Sequence, residues 1–214
     1  MAYDLEEQES LDQLKAWWEK WGTLTMTVIT AGCLAFAAYN GWHWYKRYQG
    51  NKATVAYVQL QTAFVQNDEK NIKSLADGLV QEYPNHVFAA LAALMKASND
   101  QQAGRLDDAR TALNWVINEA KRPEYDAVAR VRLAGVELDA KNPQKALEVL
   151  KGVAPESAGE AMVLDRMGDV HLALGEVENA RADWNKAILA DAEQGSLIAL
   201  LTLKLQALPE PKVQ

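Results

Sequence analysis

The chain has 214 residues and a mass of 23.7 kDa, enough for one domain of ordinary size or slightly more. About half of it is apolar (49%) and a quarter charged (24%), a balance that excludes a wholly disordered or collagen-like chain. A net charge of −7 argues against nucleic-acid binding, which needs a basic face for phosphates. The single cysteine, Cys33, excludes an internal disulfide and a cysteine-based zinc site. His43, His86 and His171 lack metal-ligand spacing, so neither metal nor cofactor is expected.

The first twenty residues hold six acids (Asp4, Glu6, Glu7, Glu9, Asp12, Glu19) against two bases (Lys15, Lys20), and are expected to form an acidic tail, 1–20. The next 25 residues, Trp21 to Tyr45, carry no formal charge. At about 1.5 Å per residue a helix of that length crosses a hydrocarbon core of roughly 30 Å. Trp17, Trp18 and Trp21 crowd one end, and Tyr39, Trp42, Trp44, Tyr45 and Tyr48 the other. Indole and phenol rings favour the headgroup layer, so the two belts predict a transmembrane helix over 21–45.

A cleaved signal peptide would want a basic leader, and this one is acidic. A buried core helix would not need aromatic belts or an abrupt Lys46-Arg47 stop. Thr23, Thr27, Ala31 and Ala35 fall four apart and form a small-residue stripe on which a neighbouring helix can pack. Residues 46–52 read as a basic juxtamembrane linker. Lysine and arginine near the span number two before it and three after it, which leaves orientation open on charge alone.

Beyond the linker, alanine and leucine recur at helical spacing and no strand pattern appears. Ala109, Ala146 and Ala180 lie 37 and 34 residues apart, each just after a turn: Gly104-Arg105, Lys141-Asn142, Gly175-Glu176. Stepping back another 37 reaches Ile72. A small residue recurs where two helices of a hairpin cross. The best unit reads Leu164-x2-Met167-Gly168-x2-His171, then Gly175, Ala180, Trp184 and Ala187, and it resembles the tetratricopeptide repeat. The first unit departs from it, with Leu60 where a small residue belongs.

The fold class expected is therefore all-α: one N-terminal transmembrane helix, then a tetratricopeptide-repeat-like solenoid of about four hairpins over 53–208. The apolar run Ser196–Leu208 is expected to cap it, or to fold back into its groove, and 209–214 form a tail.

No glycine-rich phosphate loop, nucleophile elbow or histidine–nucleophile pairing appears, so an enzyme is not expected. The acids are expected on solvated faces. The exception is Asp165 and Asp169, one turn apart, which in the repeat's geometry point into the concave groove and could receive a basic end of a client. Register places Tyr57, Phe64, Leu91, Leu94, Val128, Val131, Leu138, Met162 and Leu172 on the inner face of the first helices. Such a lining suits an apolar or amphipathic segment, unless these side chains simply pack helix on helix. The Lys and Asn ladder with which some tetratricopeptide domains clamp a terminal carboxylate is absent.

An acidic tail, one span and a degenerate repeat domain, with Ala16-Trp17-Trp18, Gly41-Trp42-x-Trp44 and Asp165-Arg166-Met167-Gly168-Asp169 as its most specific parts, resemble the YfgM family of ancillary subunits of the bacterial SecYEG translocon. The resemblance implies a single-pass inner-membrane protein with its N-terminus cytoplasmic and its repeats periplasmic. It also implies association with SecYEG and with a membrane-anchored chaperone of the PpiD kind, helping to receive unfolded secreted proteins. The competing expectation is a membrane-tethered scaffold of an envelope complex that binds no clients.

Overall fold

The computed structural model describes residues 2–154, 159–193 and 195–209, with side chains from residue 9 onward. Among these residues all regular structure is helical. Two compact units divide the chain, Met1–Asn51 and Lys52–Gln214. The expected tail 209–214 lies almost wholly outside the described residues.

The first unit is formed by one helix, α1 (Ala2–Val65), whose last turns belong to the second unit. The helix runs unbroken through 46–52, where a linker was expected. The strongest breaker there is the lone Gly50, and one glycine costs a helix only about 1 kcal/mol. Apolar side chains of the charge-free segment are open, with Leu34 66% and Phe36 71% exposed, so this is no core helix. Its polar groups bond within the helix. The Thr27 hydroxyl donates to the Thr23 carbonyl (2.7 Å), Thr25 to that of Trp21 (3.0 Å), and the Asn40 amide to that of Phe36 (2.9 Å). Such local bonding is what a polar side chain needs in lipid. The helix is long and apolar enough to cross a membrane.

The second unit pairs the end of α1 with α2 (Glu69–Glu82), α3 (Val87–Gln102) with α4 (Leu106–Asn118), α5 (Asp126–Asp139) with α6 (Pro143–Lys151), and α7 (Glu160–Ala173) with α8 (Val177–Ala190). Each hairpin turns through one left-handed residue, Asn67, Gly104, Lys141 or Gly175 (φ 54°, 75°, 61° and 80°). The amide that follows reaches back five residues: Asp68 to Ala63, Arg105 to Asp100, Asn142 to Glu137 and Glu176 to His171, at 2.8–2.9 Å. This closure satisfies carbonyls that the first helix leaves open at its end. Asn142, at the cap position before Pro143, turns its side chain to Glu137 (3.5 Å) and makes no bond to the helix amides.

The crossing points are buried as the spacing requires. Ala109, Ala146, Ala180 and Ala187 are fully buried, and Ile72 nearly so. A methyl group on Gly168 would collide with the Trp184 indole, which donates to the Asp165 carbonyl at 3.1 Å. Four acids expected at the surface are instead buried: Asp100, Glu137, Asp183 and Asp191. Three of them close the hairpins. Arg105 binds Asp100 (3.0 Å), Arg110 binds Glu137 (2.7 Å) with Lys145 alongside (3.1 Å), and Asp183 meets His171 Nδ1 (2.6 Å). The fourth, Asp191, holds the entry to α9 (Ile198–Gln206) by accepting from the Leu197 amide (2.6 Å). Helix α9 packs its Leu201 against Ala180, Trp184 and Ala187, and thereby closes the end of the repeat array.

Candidate partner-binding site

The end of α1 and helices α3, α5 and α7 are the first helices of successive hairpins, and each touches the next. Tyr57 stacks on Phe88 with ring centroids 4.6 Å apart, Arg132 reaches from α5 to the Leu94 carbonyl of α3 (3.1 Å), and α7 packs on α5. The predicted lining residues occupy this layer, but not all of them are open. Leu94 and Val131 are each only 5% exposed and belong to the helix-packing core, which corrects their placement as free lining. The reason is geometric: their register points between adjacent first helices. Tyr57, Phe64, Leu91, Val128, Leu138 and Met162 are half-buried, packed at one edge and open at another. Leu172 is exposed.

Asp165 and Asp169 do come together, and the chain itself supplies their cation. Lys204 of α9 places Nζ 2.5 Å from Asp165 and 2.6 Å from Asp169, and 5.5 Å from the centre of the Trp184 ring. The expected receiver of a client's basic end is thus occupied by the protein's last helix. Arg181 fixes the same segment by donating to the Pro209 carbonyl (2.5 Å).

What register analysis of apolar positions overlooked is the polar row beside them. Arg132 on α5 and Arg166 on α7 stand at the same repeat position, 34 residues apart. Arg166 donates to Asp169 (3.2 Å), and its guanidinium lies over Gly135, 3.6 Å from where a β-carbon would sit. Gln101 of α3 donates to Asp139 of α5 (2.7 Å). The repeat arithmetic that found Ala109 and Ala146 would have found the two arginines, had it been applied to charged residues.

Arg132 is exposed as a residue, but partial burial of its guanidinium pushes it below the usual arginine value, and no acid offsets it. Glu137 differs. Burial pushes its carboxyl up, but bonds from Arg110 and Lys145 outweigh that and hold it below the usual range. The His171 nitrogens face Asp183 and, at 3.8 Å, Glu176, so this imidazole closes a hairpin and faces no nucleophile. Among the described residues no cluster of histidine, cysteine and carboxylate side chains has metal-binding geometry.

The family model described as a tetratricopeptide repeat-like domain matches residues 15–210. The chain belongs to that family. It also belongs to the YfgM family whose resemblance its motifs carry. Relatives named ancillary SecYEG translocon subunit match it nearly end to end. That of Neisseria gonorrhoeae is 28% identical over 210 residues, covering 97% of this chain and 100% of the relative. That of Haemophilus influenzae is 26% identical, covering 87% and 91%, and that of Escherichia coli K12 is 23% identical, covering 94% and 96%. A crystal structure of a tetratricopeptide repeat protein from Parabacteroides merdae superposes with a TM-score of 0.53 at 19% identity. It covers 72% of this chain and 56% of the other, and at that identity it speaks for the fold alone.

Proposed function

We propose that this chain is a non-catalytic, membrane-anchored ancillary subunit of the SecYEG translocon whose repeat unit binds proteins. The observation that carries this reading is the near full-length match to relatives of that name, joined to a spanning-length helix and a repeat array on one chain. On this reading residues 21–45 span the inner membrane, the N-terminus is cytoplasmic and the repeats lie in the periplasm, the compartment that translocated segments enter. The finer partners are a PpiD-like membrane-anchored chaperone and unfolded secreted proteins. The stripe Thr23, Thr27, Ala31 and Ala35 gives the span a surface for a lateral helix contact.

Purification of the full chain from solubilised membranes, with identification of what accompanies it, tests the assignment. SecYEG and a chaperone of this kind should co-purify, and their consistent absence would overturn it. External protease on cells stripped of the outer membrane should digest the repeats; protection until the inner membrane is lysed would reverse the topology. A second reading, a scaffold without clients, draws on Lys204 filling the acid pair and on the burial of Leu94 and Val131. Client crosslinking to the first-helix face would dismiss it.

A further inference from the structure

The third and fourth hairpins carry an arginine at the same repeat position and differ in what meets it. On α7, Met162 is followed one turn later by Arg166, and three residues on stands Asp169, which neutralises it at 3.2 Å. On α5, Val128 is followed one turn later by Arg132, but the place of Asp169 is taken by Gly135. Among the described residues Arg132 therefore makes no ion pair, and its one polar bond is to the neutral Leu94 carbonyl. The acids nearest in register are engaged elsewhere: Asp139 accepts from Gln101, Asp126 binds Arg130 at 2.9 Å, and Asp100 binds Arg105. Arg132 is exposed as a residue, with one face of its guanidinium drawn against the Leu94 carbonyl and no acid beside it. An arginine that no acid of its own chain meets leaves its planar fork free for a carboxylate, the group with which it pairs best. By register, half-buried apolar side chains share its face: Leu91 on α3, Val128 on its own helix and Met162 on α7.

We propose that Arg132 anchors a side-chain carboxylate carried by an otherwise apolar segment of a partner protein lying on the first-helix face. This rests on the reading that the face binds proteins and specifies the chemistry it selects. The selected segment carries one Glu or Asp among aliphatic residues. A segment bearing a lysine there is disfavoured by like charge.

The test uses the full chain in lipid nanodiscs and a fluorescent peptide of about 14 aliphatic residues, blocked at both ends, with one central Glu. Its twin carries Gln, and signal from empty discs is subtracted. The Glu peptide should bind at least about tenfold more tightly than the Gln peptide, a difference of about 1.4 kcal/mol. The preference should shrink to under about twofold in Arg132→Gln and largely survive in Arg166→Gln, with helical content unchanged in both. Equal binding of the two peptides, or a Glu preference that survives Arg132→Gln, overturns the anchor while leaving the face as a binding site. A preference confined to a peptide with a free C-terminal carboxylate also overturns it. If neither peptide binds above empty discs, the reading of the face itself fails and the anchor fails with it.

Discussion

The first and last hairpins of the repeat unit fill one crossing point with opposite partners. In the first, Leu60 of α1 faces the register position of Ala76 on α2, and both are fully buried. In the last, Gly168 of α7 lies under Trp184 of α8. The middle hairpins use Ala97 with Leu113 and Ala134 with Leu150, again all buried. What the array holds constant is the summed volume at the crossing and not the identity of either residue, as close packing demands. A unit can therefore look degenerate by motif while being whole in packing.

Exchanging the two modes is the strongest way to break that comparison. Trp184→Ala empties the largest buried side chain of the last hairpin and should cost about 3–5 kcal/mol. Gly168→Leu alone, which drives carbon into the indole, should cost about 3 kcal/mol or more. Together they copy the first hairpin, and the double variant should lie closer to wild type than either parent in urea melts followed by circular dichroism. Simple additivity of the two losses would show that the sites do not share one volume.

A smaller effect compares the polar closures. Glu137→Gln removes a buried charge facing Arg110 and Lys145, and should cost about 2 kcal/mol, discounted because Arg110 keeps some access to water. The Glu137 carboxyl is held below its unfolded value, so its contribution is full at neutral pH and is lost as pH falls through the folded value. The gap between wild type and variant should close below about pH 4. A gap that widens in acid would reverse the sign assigned to Glu137. The smallest effect concerns the turns. Lys141 takes the left-handed conformation that Gly104 and Gly175 supply without strain, so Lys141→Gly should raise stability by about 0.5–1 kcal/mol. A lower melting temperature would show that the lysine side chain contributes more than its backbone costs.

Much of this architecture was legible in sequence because it depends on spacing. The charge-free run bounded by tryptophans gave the spanning-length helix, and the alanines at 109, 146 and 180 gave the hairpins. The site was less legible. Whether Leu94 and Val131 face solvent or a neighbouring helix turns on how closely adjacent first helices approach, and spacing along the chain does not encode that distance. The hold of Lys204 on Asp165 and Asp169 joins residues 39 and 35 positions apart through the docking of α9. The buried acids were not marked because an isolated carboxylate reads as surface; for Asp100 and Glu137 the register they share with His171 shows one position in three hairpins.

The turns have a practical consequence for anyone labelling or splitting this chain. From the small-residue position to the left-handed turn is always seven residues (60 to 67, 97 to 104, 134 to 141, 168 to 175), and from there to the buried position of the second helix always five (72, 109, 146, 180). The change from a 37- to a 34-residue period falls outside these intervals, between the third and fourth hairpins, where α6 has nine residues against thirteen in α4. Length is fixed across each turn, from one crossing residue to the other, and free to vary from the second helix's crossing onward. A topology reporter or protease site should therefore be tolerated in the connection between α6 and α7 or beside Pro123, whereas one added residue at Asn67 or Gly175 would throw the second helix out of phase with its partner.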